Sequence, residues 1–274
     1  MRLLTGSARL AGVIGWPVAH SRSPRIHGTW LARHDIDGAY LPLPVASEHF
    51  AHTVHALAYA GFAGANVTLP HKEAAFALAD RLSPAARRAG AVNTLVFTPS
   101  GIEGDNTDGY GFIANLRAHG VNPAAGPALI LGAGGAARAI AAALQAEGAG
   151  VVICNRTPER AANLAAQLPA AQTIPWAHRS AALKDFALLV NTTALGMAGQ
   201  PTLELAFRFA APDLVVADIV YAPLRTAFLE NAAQHGLKTV EGLGMLLHQA
   251  VPGFAAWFGV TPVVDDELYR IAAG

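Results

Sequence analysis

Apolar runs with strand character alternate with alanine-rich stretches of helical period along almost the whole chain, and that alternation is the tightest constraint on its fold. Strands are predicted at 13–14, 39–45, 64–69 and 92–97, and helices at 24–34, 47–60 and 72–82, the second opened by a Ser47 cap. Strands that recur only after a helix form βαβ units, so a mainly parallel sheet is expected. Gly120, Asn122, Pro123, Gly126 and Pro127 then interrupt the pattern with a cluster of turn formers. It restarts with strands at 128–131 and 151–154, each followed by a helix, from Gly135 and at 158–168. Further strands are expected at 187–190, 214–218 and 238–240, and a final helix at 245–257. A length of 274 residues corresponds to about two domains of ordinary size. The boundary is expected near residue 120, after a linker helix at 110–119. The second domain would then run over 121–242, with the helices of 243–274 rejoining residues 1–120.

Composition removes several classes of function. Nineteen Lys and Arg balance nineteen Asp and Glu, so the formal charge is zero, and a nucleic-acid partner, which needs a basic surface, is not expected. Only 14% of residues are charged while 53% are hydrophobic, a balance that specifies a packed core rather than disorder. The single cysteine, Cys154, excludes an intrachain disulfide and reads as core packing. The opening residues lack the apolar stretch of a signal peptide. Arg138 interrupts the best candidate for a membrane span, so a cytoplasmic protein with no membrane partner is expected. Eleven histidines invite a metal site. The three closest in sequence, His49, His52 and His55, spread about 240° round a helix with no completing carboxylate or thiolate, and no metal is expected.

The run 129–137, Leu-Ile-Leu-Gly-Ala-Gly-Gly-Ala-Ala, is an apolar strand entering G-x-G-x-x-A and then a helix. That is the context a dinucleotide fingerprint requires. Gly132 permits the tight turn, Gly134 lets the backbone approach a pyrophosphate, and Ala137 keeps helix and strand close. The pyrophosphate would rest on the amides and positive end of the helix. An NAD site usually carries an acid at the end of the second strand, about 20 residues after the first glycine, to bond the ribose 2′-hydroxyl. Here the strand ends Cys154-Asn155-Arg156-Thr157. Arg156, with Arg160 one turn on, supplies cations suited to a 2′-phosphate, so the expected cofactor is NADP.

The first half carries polar residues that a strand-and-helix pattern does not need. Ser21 and Ser23 lie in a loop between strand and helix, where Ser23 before Pro24 also fits an N-cap. Thr68 and Lys72 flank a proline turn after a strand, Asn93 follows Gly90-Ala91-Val92, and Asp108 opens a helix. His71, beside Lys72, is set aside as an acid or base because adjacent side chains diverge. Hydroxyls, an amide, one amine and one carboxylate near strand ends suit a small polyhydroxylated substrate oxidised or reduced at one carbon.

These residues resemble the shikimate dehydrogenase family over nearly the whole chain. The likeness rests on nine ordered blocks. The first four are Gly15-x-Pro17-x-x-His20-Ser21-x-Ser23-Pro24-x-x-His27, Asn66-Val67-Thr68-x-Pro70-x-Lys72, Gly90-Ala91-Val92-Asn93-Thr94 and Asn106-Thr107-Asp108-Gly109. The next three are Gly132-Ala133-Gly134-Gly135-Ala136, Asn155-Arg156-Thr157-x-x-Arg160 and Asn191-Thr192-Thr193-x-x-Gly196-Met197. Asp218-Ile219-Val220-Tyr221-x-Pro223-x-x-Thr226 and Gly242-x-Gly244-Met245-Leu246-x-x-Gln249-Ala250 complete them. Gly28 is a departure, since asparagine is usual after the histidine.

The resemblance implies an α/β protein with an N-terminal, mainly parallel substrate-binding and catalytic domain, a Rossmann-type NADP domain, and a cleft between them. It implies NADPH-dependent, reversible reduction of 3-dehydroshikimate to shikimate, toward chorismate and the aromatic amino acids. Ser21 and Ser23 would hold the substrate carboxylate, and Thr68, Asn93, Asp108, Tyr221 and Gln249 would contact the substrate. Lys72 and Asp108 match the catalytic pair. Cofactor contacts would come from Gly132, Ala133, Gly134, Gly135 and Ala136, from Asn155, Arg156, Thr157 and Arg160, and from Ile219 and Gly242. Lysine is ordinarily cationic at neutral pH, which suits Lys72 to protonate the C3 oxygen, with Asp108 orienting it. Two alternatives stand beside this reading: an NAD-using quinate/shikimate dehydrogenase, and a non-catalytic NADP-binding sensor. The partners expected are the small-molecule substrate and, at most, a second copy in a homodimer.

Overall fold

The computed structural model describes residues 3–274. The chain divides into two compact units, one made of the residues up to Thr107 together with Leu247–Gly274, the other of Asp108–Leu246.

The first unit contains β1 (Arg9–Gly15), α1 (Ser23–Arg33), β2 (Gly38–Pro44), α2 (Phe50–Tyr59), β3 (Gly64–Val67), α3 (Lys72–Leu78), β4 (Arg81–Leu82), α4 (Pro84–Ala89), β5 (Thr94–Thr98) and β6 (Gly101–Asp105). They form a six-stranded sheet in the order β2-β1-β3-β5-β6-β4. β1 pairs in parallel with β2 and β3, and only β5 runs against its neighbours. One face is filled by Ile14, Val54, Val67, Ala75, Leu95 and Ile102 from the sheet and α2–α4. The other carries an aromatic layer of Trp30 and Tyr40 with Phe254 and Trp257. The last two belong to the long helix Gly242–Phe258, whose residues from Leu247 onward pack with this unit, as does the terminal helix Asp266–Ala273.

Gly64 shows how closely that helix approaches the sheet. The Trp257 indole N–H donates to the Leu95 carbonyl at 2.9 Å. A Cβ on Gly64 would lie 2.1 Å from that carbonyl oxygen and 2.2 Å from the indole nitrogen. Neither a strand carbonyl nor a fully buried indole can move aside. Gly64→Ala is therefore expected to lower unfolding stability by about 3 kcal/mol, the upper part of the usual overpacking range. Urea denaturation checks this; an unchanged midpoint would mean that the helix can lift off the sheet without cost.

The second unit contains α5 (Asp108–Ala118), β7 (Ala128–Leu131), α6 (Gly135–Ala146), β8 (Val151–Asn155), α7 (Pro158–Ala165), β9 (Gln172–Pro175), β10 (Leu188–Asn191), β11 (Val215–Asp218), α8 (Ala227–Gln234), β12 (Lys238–Val240) and the start of α9 (Gly242–Phe258), with α10 (Asp266–Ala273) closing the chain in the first unit. The sheet is wholly parallel, in the order β12-β11-β10-β7-β8-β9. Counted within this unit, that is the 3-2-1-4-5-6 order of dinucleotide-binding folds. Successive residues of β7 point to opposite faces: Ala128 and Ile130 join one core with α5, α6 and α7, and Leu129 and Leu131 join the other with Phe207, Phe228 and Leu229.

The helix expected as a linker at 110–119 is α5, and it falls inside the second unit. Its Gly109 sits so close to α6 that a Cβ would come within 2.8 Å of the Ala139 carbonyl. Small residues let the two helices lock together, so the division falls at Thr107/Asp108 rather than near residue 120. No helix among the described residues is long and apolar enough to cross a membrane.

Candidate active site

Ligands of open α/β sheets bind beyond the carboxyl ends of the strands. In the first unit, Ser21 and Ser23 follow β1, and Thr68 and Lys72 follow β3. The Trp16 N–H donates to the Leu69 carbonyl at 3.1 Å and the Thr68 N–H to the Ile14 carbonyl at 2.9 Å, which ties these two loops together. Because β5 runs in the opposite sense, Asn93 precedes it at this same edge, with Thr94 paired to Asn66 of β3.

The serines do not behave as the capping pattern suggested. α1 begins at Ser23 itself, and no side chain caps it. Instead the Ser23 N–H donates to Ser21 Oγ at 3.3 Å. Ser21 thus takes the local backbone role, while the Ser23 hydroxyl is not engaged in a cap.

Asn93 and Gln249, 156 residues apart, meet in the first unit, with Asn93 Nδ2 donating to Gln249 Oε1 at 3.3 Å. Asn93 Oδ1 accepts from the Thr107 N–H at 2.9 Å and from the hydroxyls of Thr94 at 3.0 Å and Thr107 at 3.2 Å. Three donors on one oxygen fix which way the amide points. Behind it, Asn66 Nδ2 donates to the Asn93 carbonyl at 3.1 Å, and Asn66 Oδ1 accepts from the buried Tyr40 hydroxyl at 2.6 Å. Buried polar groups demand such pairing, and a fully connected network holds a unique arrangement. Tyr40 escapes sequence reasoning because nothing local distinguishes it from other strand residues, and Thr94, though it closes the Gly90-Ala91-Val92-Asn93-Thr94 block, carries no local sign of its bond to Asn93. Asn66 carried a signal, an amide in an otherwise apolar strand.

Lys72 is partly buried at the first position of α3, and its carbonyl accepts the Val92 N–H at 3.0 Å. His71 next to it is buried, stacked on Phe50 with ring centroids 4.7 Å apart, with Nε2 bonded to the Val45 carbonyl at 2.7 Å. The ring is occupied in anchoring the turn, which agrees with setting it aside as an acid or base.

In the second unit, Asp108 is buried at the first turn of α5, where the helix dipole favours a carboxylate. Gly132 has φ +119°, and a Cβ there would meet Thr192 Oγ1 at 2.5 Å. Gly134 and Gly135 are exposed, and a Cβ on either would enter open space. They bare the backbone where α6 starts without a side-chain cap. Ala133 and Ala136 flank them partly exposed, and Ala137 is fully buried against the sheet. This open glycine cradle at a helix N-terminus fits the diphosphate of a dinucleotide.

At the end of β8, Asn155 Nδ2 donates to the Thr157 carbonyl at 3.0 Å, while Arg156, Thr157 and Arg160 are exposed. Two cations, with no acid at the strand end itself, suit a 2′-phosphate rather than a free ribose. Ile219 donates its N–H to the Asn191 carbonyl at 3.1 Å. Gly242 lies against it so closely that a Cβ would be 2.5 Å from the Ile219 carbonyl, and half-buried Tyr221 follows in the same turn. Cys154 is buried in β8, and burial pushes its thiol up to about 11, which keeps it unreactive. His49, His52 and His55 are all exposed, and no cluster of three metal-ligating groups occurs among the described residues.

Two family models match the chain: the shikimate dehydrogenase substrate binding domain over residues 13–95, and shikimate / quinate 5-dehydrogenase over residues 118–197. The NADP(+) shikimate dehydrogenase of Acidiphilium cryptum is 72% identical, over 99% of this chain and 98% of that protein. The NADP(+) shikimate dehydrogenase of Paramagnetospirillum magneticum is 57% identical, over 97% and 98%. The crystal structure of the Thermus thermophilus shikimate 5-dehydrogenase, in complex with NADP(H) and shikimate, superposes with a TM-score of 0.88 at 38% identity, covering 97% of this chain and 98% of that one. With both units matched in order and relatives alike from end to end, the chain belongs to the shikimate dehydrogenase family.

Proposed function

We infer that the chain is an NADP-dependent oxidoreductase acting on a CH–OH group, the reversible reduction of 3-dehydroshikimate to shikimate on the route to chorismate and the aromatic amino acids. The observation that carries this reading is the end-to-end likeness to NADP(+) shikimate dehydrogenases at up to 72% identity. NADPH, when bound, supplies hydride to the C3 carbon. Lys72 donates the proton that the C3 oxygen takes up, a general-acid role suited to an ammonium at a strand-end turn. Asp108 orients that ammonium and accepts a bond from a substrate hydroxyl. Ser21 and Ser23 hold the substrate carboxylate, and Thr68, Asn93, Tyr221 and Gln249 take its hydroxyls. The fixed Asn93 amide supports its part, since a pre-oriented donor loses little entropy on binding.

For the cofactor, the backbone of Gly132, Ala133, Gly134, Gly135 and Ala136 cradles the diphosphate. Asn155, Arg156, Thr157 and Arg160 hold the 2′-phosphate, and Ile219 and Gly242 shape the nicotinamide end. The same proposal takes the enzyme to work in the cytoplasm as a monomer or homodimer on small molecules alone.

The test is the near-ultraviolet absorbance of reduced nicotinamide with shikimate or quinate, each offered with NADP+ or NAD+. Shikimate with NADP+ is expected to be the best pair. Preference for quinate with NAD+ would favour the alternative dehydrogenase, and silence with every pair would leave a binding module. Arg156→Ala is expected to raise KM for NADP+ by about 10-fold or more, the worth of a charge-assisted phosphate contact, with KM for NAD+ little changed. Equal changes for both cofactors would remove Arg156 from 2′-phosphate recognition.

A further inference from the structure

Asp218 ends β11 and is 2% exposed. Its Oδ1 accepts from Asn191 Nδ2 at 2.9 Å and from the Val220 N–H at 3.0 Å, and its Oδ2 accepts from Thr226 Oγ1 at 2.8 Å. None of these partners is a cation, so three dipoles hold the buried charge. Burial pushes the carboxyl up to about 6, which still leaves it ionised at neutral pH, the form that accepts from all three donors.

Each donor belongs to a different segment. Asn191 ends β10, and its own Oδ1 receives the N–H and hydroxyl of Thr193, at 3.0 and 2.7 Å. Val220 lies in the turn that carries Ile219 and Tyr221. Thr226 caps α8, its oxygen accepting the Leu229 N–H at 3.3 Å. One carboxylate therefore joins the ends of two strands, the turn after Asn191, the 219–221 turn and a helix cap. Gly242 closes the far side of the 219–221 turn by backbone contact.

We propose that Asp218 is a positioning residue that sets the 219–221 turn, and through Ile219 the nicotinamide end of the cofactor site. This rests on the NADP reading above. The glycine turn and Arg156, on β7 and β8, make no hydrogen bond to Asp218; the nearest link is the packing of Gly132 on Thr192, next to Asn191. The adenosine end is therefore expected to feel the carboxylate far less than the 219–221 turn does.

The test measures binding by calorimetry with two probes, NADP+ and adenosine 2′,5′-bisphosphate, which lacks the nicotinamide. Asp218→Ala removes all three bonds and is expected to weaken NADP+ binding about 10-fold or more, with adenosine 2′,5′-bisphosphate within about twofold of wild type. Asp218→Asn keeps an acceptor for the two N–H donors and is expected to fall between, which preserves the test if the alanine variant folds poorly. NADP+ affinity unchanged in both variants would overturn the proposal. So would equal losses for both probes, the mark of a general structural role. Failure of the wild-type protein to bind either probe would instead defeat the NADP reading itself.

Discussion

Replacing Lys72 with alanine is expected to lower kcat for shikimate oxidation by about 10²–10⁴-fold, the usual range for removing a general acid or base, while KM for shikimate stays within about threefold. The backbone at this position is held independently of the side chain, by the Val92 N–H on the Lys72 carbonyl and by His71 anchored to Val45 and Phe50. The turn should therefore survive the substitution, and the loss would report chemistry rather than misfolding. Lys72→Arg is not expected to restore the rate, because a guanidinium keeps its proton and cannot exchange it with the C3 oxygen. Steady-state kinetics of the two variants at saturating NADP+ read the outcome. Turnover near that of wild type in Lys72→Ala would take the residue out of the mechanism.

Acid is expected to destabilise the protein through His27, a residue that chemistry does not use. Its ring is fully buried, stacked on Tyr40 with centroids 4.0 Å apart and edge-on to Trp30 at 5.5 Å. Neither ring nitrogen has a hydrogen-bond partner of good geometry among the described residues. The Asn66 amide is near enough to favour the cation slightly without reaching bonding geometry, and burial dominates, lowering the pKa from 6.5 to about 3. In the unfolded chain the imidazole takes a proton as pH falls through about 6.5, whereas the folded protein refuses it until about 3. The unfolded state thus binds the extra proton between those values. Stability from this group is full above pH 6.5 and declines as pH falls, by about 3–6 kcal/mol in total. His27→Phe keeps an aromatic ring in an aromatic layer and removes the titration. Urea denaturation at a series of pH values should then show a shallower acid slope for the variant. An identical slope in both proteins would place the acid sensitivity elsewhere.

The parts of the fold legible in the sequence are those whose signals are local. The strand, glycine turn and helix at 128–146 announce themselves because steric demands at Gly132 and close packing at Ala137 act within one βα unit. Elsewhere tertiary contacts overruled the local pattern. The helix expected at 72–82 stops at Leu78, and Arg81–Leu82 joins the sheet instead. Asp80 accepts the Ile102 N–H at 2.7 Å, which draws the chain onto the strand beside it. β6 itself, Gly-Ile-Glu-Gly-Asp, has little strand propensity. It is a strand because Gly104 fits under Val92, where a Cβ would approach to 2.8 Å. The short helix Pro84–Ala89 does carry a local signature, a Ser83 cap and a left-handed Gly90 at its end.

The site divides in the same way. The sequence by itself determined the cofactor class and the family, since a glycine turn, a strand end without an acid and nine ordered blocks are properties of short segments. Only the tertiary structure decided which side chains are held and by what. Asn93 is oriented by Thr94 and Thr107 and set beside Gln249, Tyr40 reaches Asn66 from another strand, and Asp218 gathers donors from three segments. It also decided that His27, part of a family motif, belongs to an aromatic core. The physical reason is common to all of these. Desolvation and hydrogen-bond satisfaction depend on which residues distant in the chain surround a group, and no short window of sequence contains them.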